Sequence, residues 1–175
     1  LDAQGQVLRP AILWNDGRSQ EQCAVLEARE PGTRVITGNR AMAGFTAPKL
    51  LWVAEHEPEL FDRVARVLLP KDWLVFALTG QASTDCSDAA GTLWLDLARR
   101  NWSARMLAAC GLDCAQMPAL HEGPDVVGTL RVERSAEWGL PDDVRVVAGA
   151  GDNAAGAIGV GAVRPGDGFV SLGTS

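Results

Sequence analysis

The chain has 175 residues, 47% of them hydrophobic, which is the size of one domain with enough apolar material for a sizeable core. Its formal charge of -6 offers no positive field to a nucleic-acid backbone, so nucleic acid is excluded as the main partner. No apolar run approaches the ~20 residues of a membrane span, and no charged-then-apolar leader opens the chain, which argues against a membrane protein.

The chain begins at Leu1, and Gly173-Thr174-Ser175 follow an apolar run without a stop signal, so it reads as an internal piece of something longer. After a turn at Gln4-Gly5, Val7 to Trp14 is expected to form a largely apolar strand, ended by Asn15-Asp16-Gly17. Ser19 to Arg29 has helical spacing, with Cys23 and Leu26 on one face, and Pro31-Gly32 stops it. Gly38 to Gly44 reads as a loop. Pro48 suits the first turn of a helix that runs towards Pro58, and Glu59 to Val64 forms a shorter one. Val67 to Leu69 is expected as a short strand, with Asp72 capping a helix that reaches Leu78 before Thr79-Gly80.

Ser83 to Gly91 is small and polar. Trp94 to Leu97 looks locally ordered, and Ser103 is the N-cap of a helix ended by Gly111. Val126 to Val132 alternates as a strand does, and Ser135 to Trp138 is a helical turn. Val144 to Ala148 is a β-branched run of the kind buried in sheets. A helix from Asn153 to Val160 carries alanines and glycines suited to close packing, and Phe169 to Leu172 opens another strand. Alternating strands and helices without a repeat indicate an α/β architecture. Cys23, Cys86, Cys110 and Cys114 make no Cys-x-x-Cys pair and the histidines are His56 and His121, so metal-site spacing is absent and free cytosolic thiols are expected.

The run Gly149-Ala150-Gly151-Asp152-Asn153 places a carboxylate where a strand turns into a helix, the position at which α/β proteins bind ligands. Such a carboxylate can accept helix N–H bonds and take a proton from a substrate hydroxyl, or it can serve only as a cap. Asn153 could offer its amide to a sugar hydroxyl, or be an ordinary first-turn residue. Gly149, Gly151, Gly156, Gly159 and Gly161 fit neither a dinucleotide fingerprint nor a Walker motif. Gly173-Thr174-Ser175 could hold phosphate or form a plain turn.

Gly44 to His56, reading Gly-Phe-Thr-Ala-Pro-Lys-Leu-Leu-Trp-Val-Ala-Glu-His, resembles the first signature of the FGGY family of carbohydrate kinases: a Lys, an apolar residue, any residue, then Trp, an apolar residue and polar ones. Ala11 to Arg18, Leu69 to Asp72, Ser87 to Thr92 and Gly151 to Gly156 look most like the xylulose-phosphorylating members. The resemblance implies the actin-like ATPase (RNase H-like) fold, two domains hinged about a cleft. Residues 1–163 would be the later part of the sugar-binding first domain, and residues 164–175 the crossing and opening strand of the ATP-binding second.

It further implies that Asp152 is the general base, Asn153 binds sugar hydroxyls and Trp14 lines the sugar pocket. Asp16 either reaches the sugar or holds an Asx turn, and Gly173 and Thr174 belong to a phosphate-binding turn. ATP and Mg²⁺ are the implied cofactors, and D-xylulose or a related sugar the implied substrate. The implied setting is cytoplasmic, and homodimerisation of a full-length chain is left open. Lys49 and Trp52 are expected to pack, Lys71 and Asp72 to form a cap and turn, and Ser87 and Asp88 to be loop residues without a role. The rivals are another sugar or polyol kinase, acting on glycerol, gluconate or ribulose, and a non-catalytic sugar-binding module. Alone, the piece is expected to be inactive.

Overall fold

Helix α1, Gln20–Arg29, forms where the spacing places it, and it buries Gln22, Cys23 and Leu26. The buried Ser19 before it gives its hydroxyl to the Ala43 carbonyl, 3.3 Å away, instead of capping the helix. A computed structural model describes residues 1–172. Pro31 ends α1, but the chain re-enters helix at once in α2, Thr33–Thr37. Buried hydroxyls stitch that turn, Thr33 to the Glu30 carbonyl (2.6 Å) and Thr37 to the Thr33 carbonyl (2.8 Å). Helix α3, Thr46–His56, has Pro48 in its first turn, where no N–H partner is lost, and packs on α1. The short α4, Pro58–Phe61, follows.

Helix α5, Pro70–Thr79, starts two residues before Asp72 and stops at Gly80, whose φ of 81° suits a residue without Cβ. Asp72 therefore caps from inside the first turn, its Oδ2 accepting the Leu69 N–H at 3.1 Å. The polar stretch after it is ordered, with β1, Ser83–Asp85, buried and α6, Cys86–Ala90, burying Cys86 and Ala89; the Asp85 carboxylate is the N-cap, accepting the Ser87 N–H at 2.8 Å. A hairpin of β2, Leu95–Asp96, and β3, Asn101–Trp102, leads to α7, Ala104–Ala109, capped by Ser103. β4, Ala119–His121, lies parallel to β1 in the register Ser83 to Ala119. β5, Val126–Thr129, then α8, Val132–Trp138, then β6, Arg145–Val147, precede α9, Asp152–Gly159. β5 and β6 pair antiparallel, with an irregularity between Val126 and Gly128.

The core gathers Leu26, Ala47, Leu51, Leu93, Trp94, Met106, Leu107 and Cys110 beneath α1, α3 and α7. Five expectations fail here. Val7 to Trp14, Val67 to Leu69 and Phe169 to Leu172 form no strand, because a strand needs a continuous ladder for its N–H and C=O groups and none forms among the described residues: Val67 gives a single N–H to the Gln116 carbonyl, and the Leu69 N–H goes to Asp72 instead. β6 is not buried on both faces: it pairs with β5 alone and Val147 is 45% exposed. α9 buries none of its residues, and Gly156 and Gly159 face open space rather than a close neighbour. The alternation of helix and strand is present, in three two-stranded sheets. The four cysteines are free, and no described helix is long and apolar enough to cross a membrane.

Candidate active site

The chain leaves β6 through the buried Ala148, whose N–H reaches the Asp125 carbonyl, and turns at Gly149, φ 87°. Glycine is required there twice over. Its φ is left-handed, and a Cβ would stand 3.2 Å from Lys71 Cδ. Gly151, extended at the N-cap of α9, lies so near α6 that a Cβ would come 3.3 Å from Asp88 Cα. Asp152 thus becomes the first residue of α9, an exposed carboxylate whose Oδ1 accepts the Asn153 N–H at 2.7 Å.

Behind this turn stands a cluster to which the sequence pointed only as a cap and loop. Lys71 Nζ donates to Asp72 Oδ1 (2.9 Å) and to the Ala148 carbonyl (3.0 Å). It also lies 3.1 Å from Asp85 Oδ1, at an angle poor for a hydrogen bond, and 3.8 Å from Asp88 Oδ2. Burial pushes the Asp72 carboxyl up, and Lys71 offsets this only in part. For Asp85, burial is outweighed by the Ser87 hydroxyl and Lys71, which hold it below the usual carboxylate range. Lys71 loses some basicity to burial but gains more from Asp72 and Asp85, so it stays above its ordinary value.

Asp88 is pushed up from 3.8 to about 6, first by burial and then by the Asp72, Asp85 and Asp152 carboxylates, against the pull of Lys71. A carboxyl raised on folding contributes stability that is complete below pH 4 and lost as pH rises through about 6. In a family-length protein, Asp88→Asn should therefore match the parent near pH 4 and exceed it by about 1 to 3 kcal/mol above pH 7. Thermal unfolding across pH 4 to 8 measures the difference, and a gain independent of pH would refute this account.

Trp14 is 60% exposed and lines a cavity of about 650 Å³ together with Lys49, Trp73 and Asp88. Asp88 thus adjoins both this cavity and the Asp152 turn. Asp16 is not among the cavity residues. Its carboxylate is gripped by Arg18, with Nη2 to Oδ2 at 2.7 Å, and accepts the Arg18 N–H in an Asx turn. Arg18 holds that carboxyl down at about 2. The Arg18 guanidinium lies 4.9 Å from the centre of the Trp52 ring, which stacks on His56. Lys49 pins the preceding loop through the Gly44 carbonyl at 2.9 Å, and burial lowers its basicity. Gly173 and Thr174 lie outside the described residues.

The described residues do not fit a resident Mg²⁺. They contain no group of three or more ligating side chains able to hold a metal ion, and Asp72, Asp85 and Asp88 gather on an ammonium that already fills their centre.

Residues 1–159 match the N-terminal domain of the FGGY family of carbohydrate kinases, and the chain belongs to that family. It is 60% identical over its whole length to the xylulose kinase of Escherichia coli, of which it covers 36%. Its structure superposes on a crystal structure described as a xyloylose kinase from Brucella ovis with a TM-score of 0.91 and 55% identity, covering 95% of this chain and 34% of that one. A gluconate kinase from Lactobacillus acidophilus superposes at 0.85 with 26% identity, over 93% of this chain and 34% of that one. The fold is accordingly the actin-like ATPase type of these kinases, in its mixed α/β form. The chain spans about a third of the length of the curated relatives it matches.

Proposed function

We propose that this chain is the sugar-side portion of an ATP-dependent kinase that converts D-xylulose to D-xylulose 5-phosphate. The observation that carries the reading is Asp152, an exposed carboxylate delivered at the head of α9 by a strand and a glycine turn. In this reaction Asp152 takes the proton of the 5-hydroxyl as that oxygen bonds to the γ-phosphorus of ATP, and the bond from phosphorus to the ADP oxygen breaks. Little covalent help is needed from the protein beyond placing the two oxygens in line. Asn153 would bind sugar hydroxyls and Trp14 would form a wall of the sugar pocket. The Arg18 grip on Asp16 favours an Asx-turn duty for that residue over sugar contact.

Residues 1–163 belong in this scheme to the sugar domain and residues 164–175 to the crossing into the ATP domain, with Gly173 and Thr174 on the phosphate side. ATP and Mg²⁺ are assigned to parts of the family-length protein beyond the described residues, so the 175 residues alone should not turn over sugar. Xylulose is favoured by the curated relatives, several of which are xylulose kinases at 42 to 60% identity. The likeness to a gluconate kinase keeps that sugar acid as the second reading. ADP release by the full-length protein, measured over D-xylulose, D-ribulose, gluconate and glycerol, separates them. Turnover with D-xylulose at least about tenfold above the others is expected, a difference of about 1.4 kcal/mol in transition-state binding. No response to any pentulose would refute the reading.

A further inference from the structure

The turn that carries Asp152 is fastened at both ends to one platform, made of the first turn of α5 and the β1–α6 corner. At the near end, Lys71 Nζ donates to the Ala148 carbonyl at 3.0 Å, just before Gly149. At the far end, the Gly151 N–H donates to Ser87 Oγ at 2.9 Å, immediately before Asp152. The two fastenings share Asp85, because the Ser87 hydroxyl donates to Asp85 Oδ2 while Lys71 lies 3.1 Å from Asp85 Oδ1. Ser87 has one proton, spent on Asp85, so its lone pairs necessarily face the Gly151 N–H. Lys71 donates to Asp72 Oδ1 and to the Ala148 carbonyl at 2.9 and 3.0 Å, and its ammonium also stands 3.1 Å from Asp85 Oδ1 as an ion pair.

The packing leaves little slack. A Cβ on Gly149 would press on the Lys71 stem and one on Gly151 would press on Asp88, so the turn lies directly against the platform. These contacts, together with the Gly149 N–H bonded to the Gly123 carbonyl at 3.0 Å, rather than burial, fix α9 at its start, since none of its described side chains is buried.

We propose that Lys71, Asp85 and Ser87 are positioning residues that set where the Asp152 carboxylate stands relative to the sugar hydroxyl, an inference that rests on Asp152 being the base. Base catalysis depends on a reach of about 3 Å, and a misplacement of about 1 Å can cost on the order of a hundredfold in rate. Two of the three side chains contribute to the site through another residue's backbone and need touch no substrate.

The test uses the full-length kinase with D-xylulose and ATP. Ser87→Ala removes the acceptor of an N–H that water can reach, so the fold should survive, and kcat should fall about tenfold with the sugar KM within about twofold. Ser87→Thr keeps the hydroxyl and should return kcat to within about threefold of the parent. Lys71→Met keeps the stem but loses the ammonium, and should lower kcat about a hundredfold. Amide exchange at residues 149–153 should quicken in both Ser87→Ala and Lys71→Met, a readout that needs no turnover. Unchanged kcat and exchange in Ser87→Ala would overturn the proposal, as would a Ser87→Thr variant no better than Ser87→Ala. Failure of the underlying assignment looks different: Asp152→Asn would then keep near-normal turnover whatever Ser87→Ala did.

Discussion

In the full-length kinase, Asp152→Asn should lower turnover on D-xylulose by about a thousandfold or more while sugar affinity stays within about tenfold. The two side chains are nearly isosteric, and the amide oxygen of Asn can still accept the Asn153 N–H that Asp152 Oδ1 accepts at 2.7 Å. What is lost is a group able to take a proton in the transition state, a contribution typically worth 10² to 10⁴ in rate. Because Asp152 is exposed, no buried network breaks and the melting temperature should hardly move. ADP release under saturating sugar gives the rate, and calorimetric titration of sugar gives the affinity. Near-normal turnover would sink the assignment, whereas loss of turnover together with loss of binding would move Asp152 from proton transfer to sugar recognition.

How much of this was legible in the sequence depends on how local the signal was. The helices α1, α3 and α7 follow from spacing and from breakers or caps within a few residues, as with Pro31, Pro48 and Ser103. α2 escaped because Thr33, Val35, Ile36 and Thr37 are β-branched, and the helix rests on buried threonine hydroxyls bonded to main-chain carbonyls. β1 escaped for the opposite reason: Ser83-Thr84-Asp85 has the composition of a loop, yet all three residues are buried. The apolar runs at Val7 to Trp14 and Phe169 to Leu172 had strand character but lacked a partner among the described residues. Strand formation is decided by the neighbour as much as by the run itself.

The site divides in the same way. Asp152 stood out through the glycines around it and through the family resemblance, both readable along the chain. Its supports did not, because the Lys71 to Ala148 bond spans 77 residues and the Gly151 to Ser87 bond 64. No local pattern joins a Lys-Asp pair at the head of one helix to a glycine turn so far along. Asp16 illustrates the converse, since Arg18 lies two residues away and its grip on the carboxylate was within reach of an Asx-turn reading.

Trp94→Ala should destabilise the protein by about 3 to 5 kcal/mol, the range for removing a buried indole from a close-packed core. Trp94 is 1% exposed and sits among Leu26, Leu51, Met106 and Leu107. Its Nε1–H points to Cys110 Sγ at 3.3 Å, and its main chain ties Thr92 to Ser103. Deletion of the ring leaves a void that α1, α3 and α7 cannot close together, because their backbones are held elsewhere: Ala47 donates to Thr92, and Ser103 to Trp94. Thermal unfolding of the full-length kinase should show a first transition lower by on the order of 10 °C. Trp94→Phe, which refills most of the volume, should recover more than half of that. Below the transition, turnover per folded molecule should stay near the parent value, because Asp152 depends on the Lys71 and Ser87 fastenings rather than on this core. The two variants therefore dissociate in opposite directions: Asp152→Asn folds without turning over, and Trp94→Ala turns over only while it remains folded. A Trp94→Ala protein of unchanged melting temperature but lost turnover would mean that the core and the Asp152 turn move as one body.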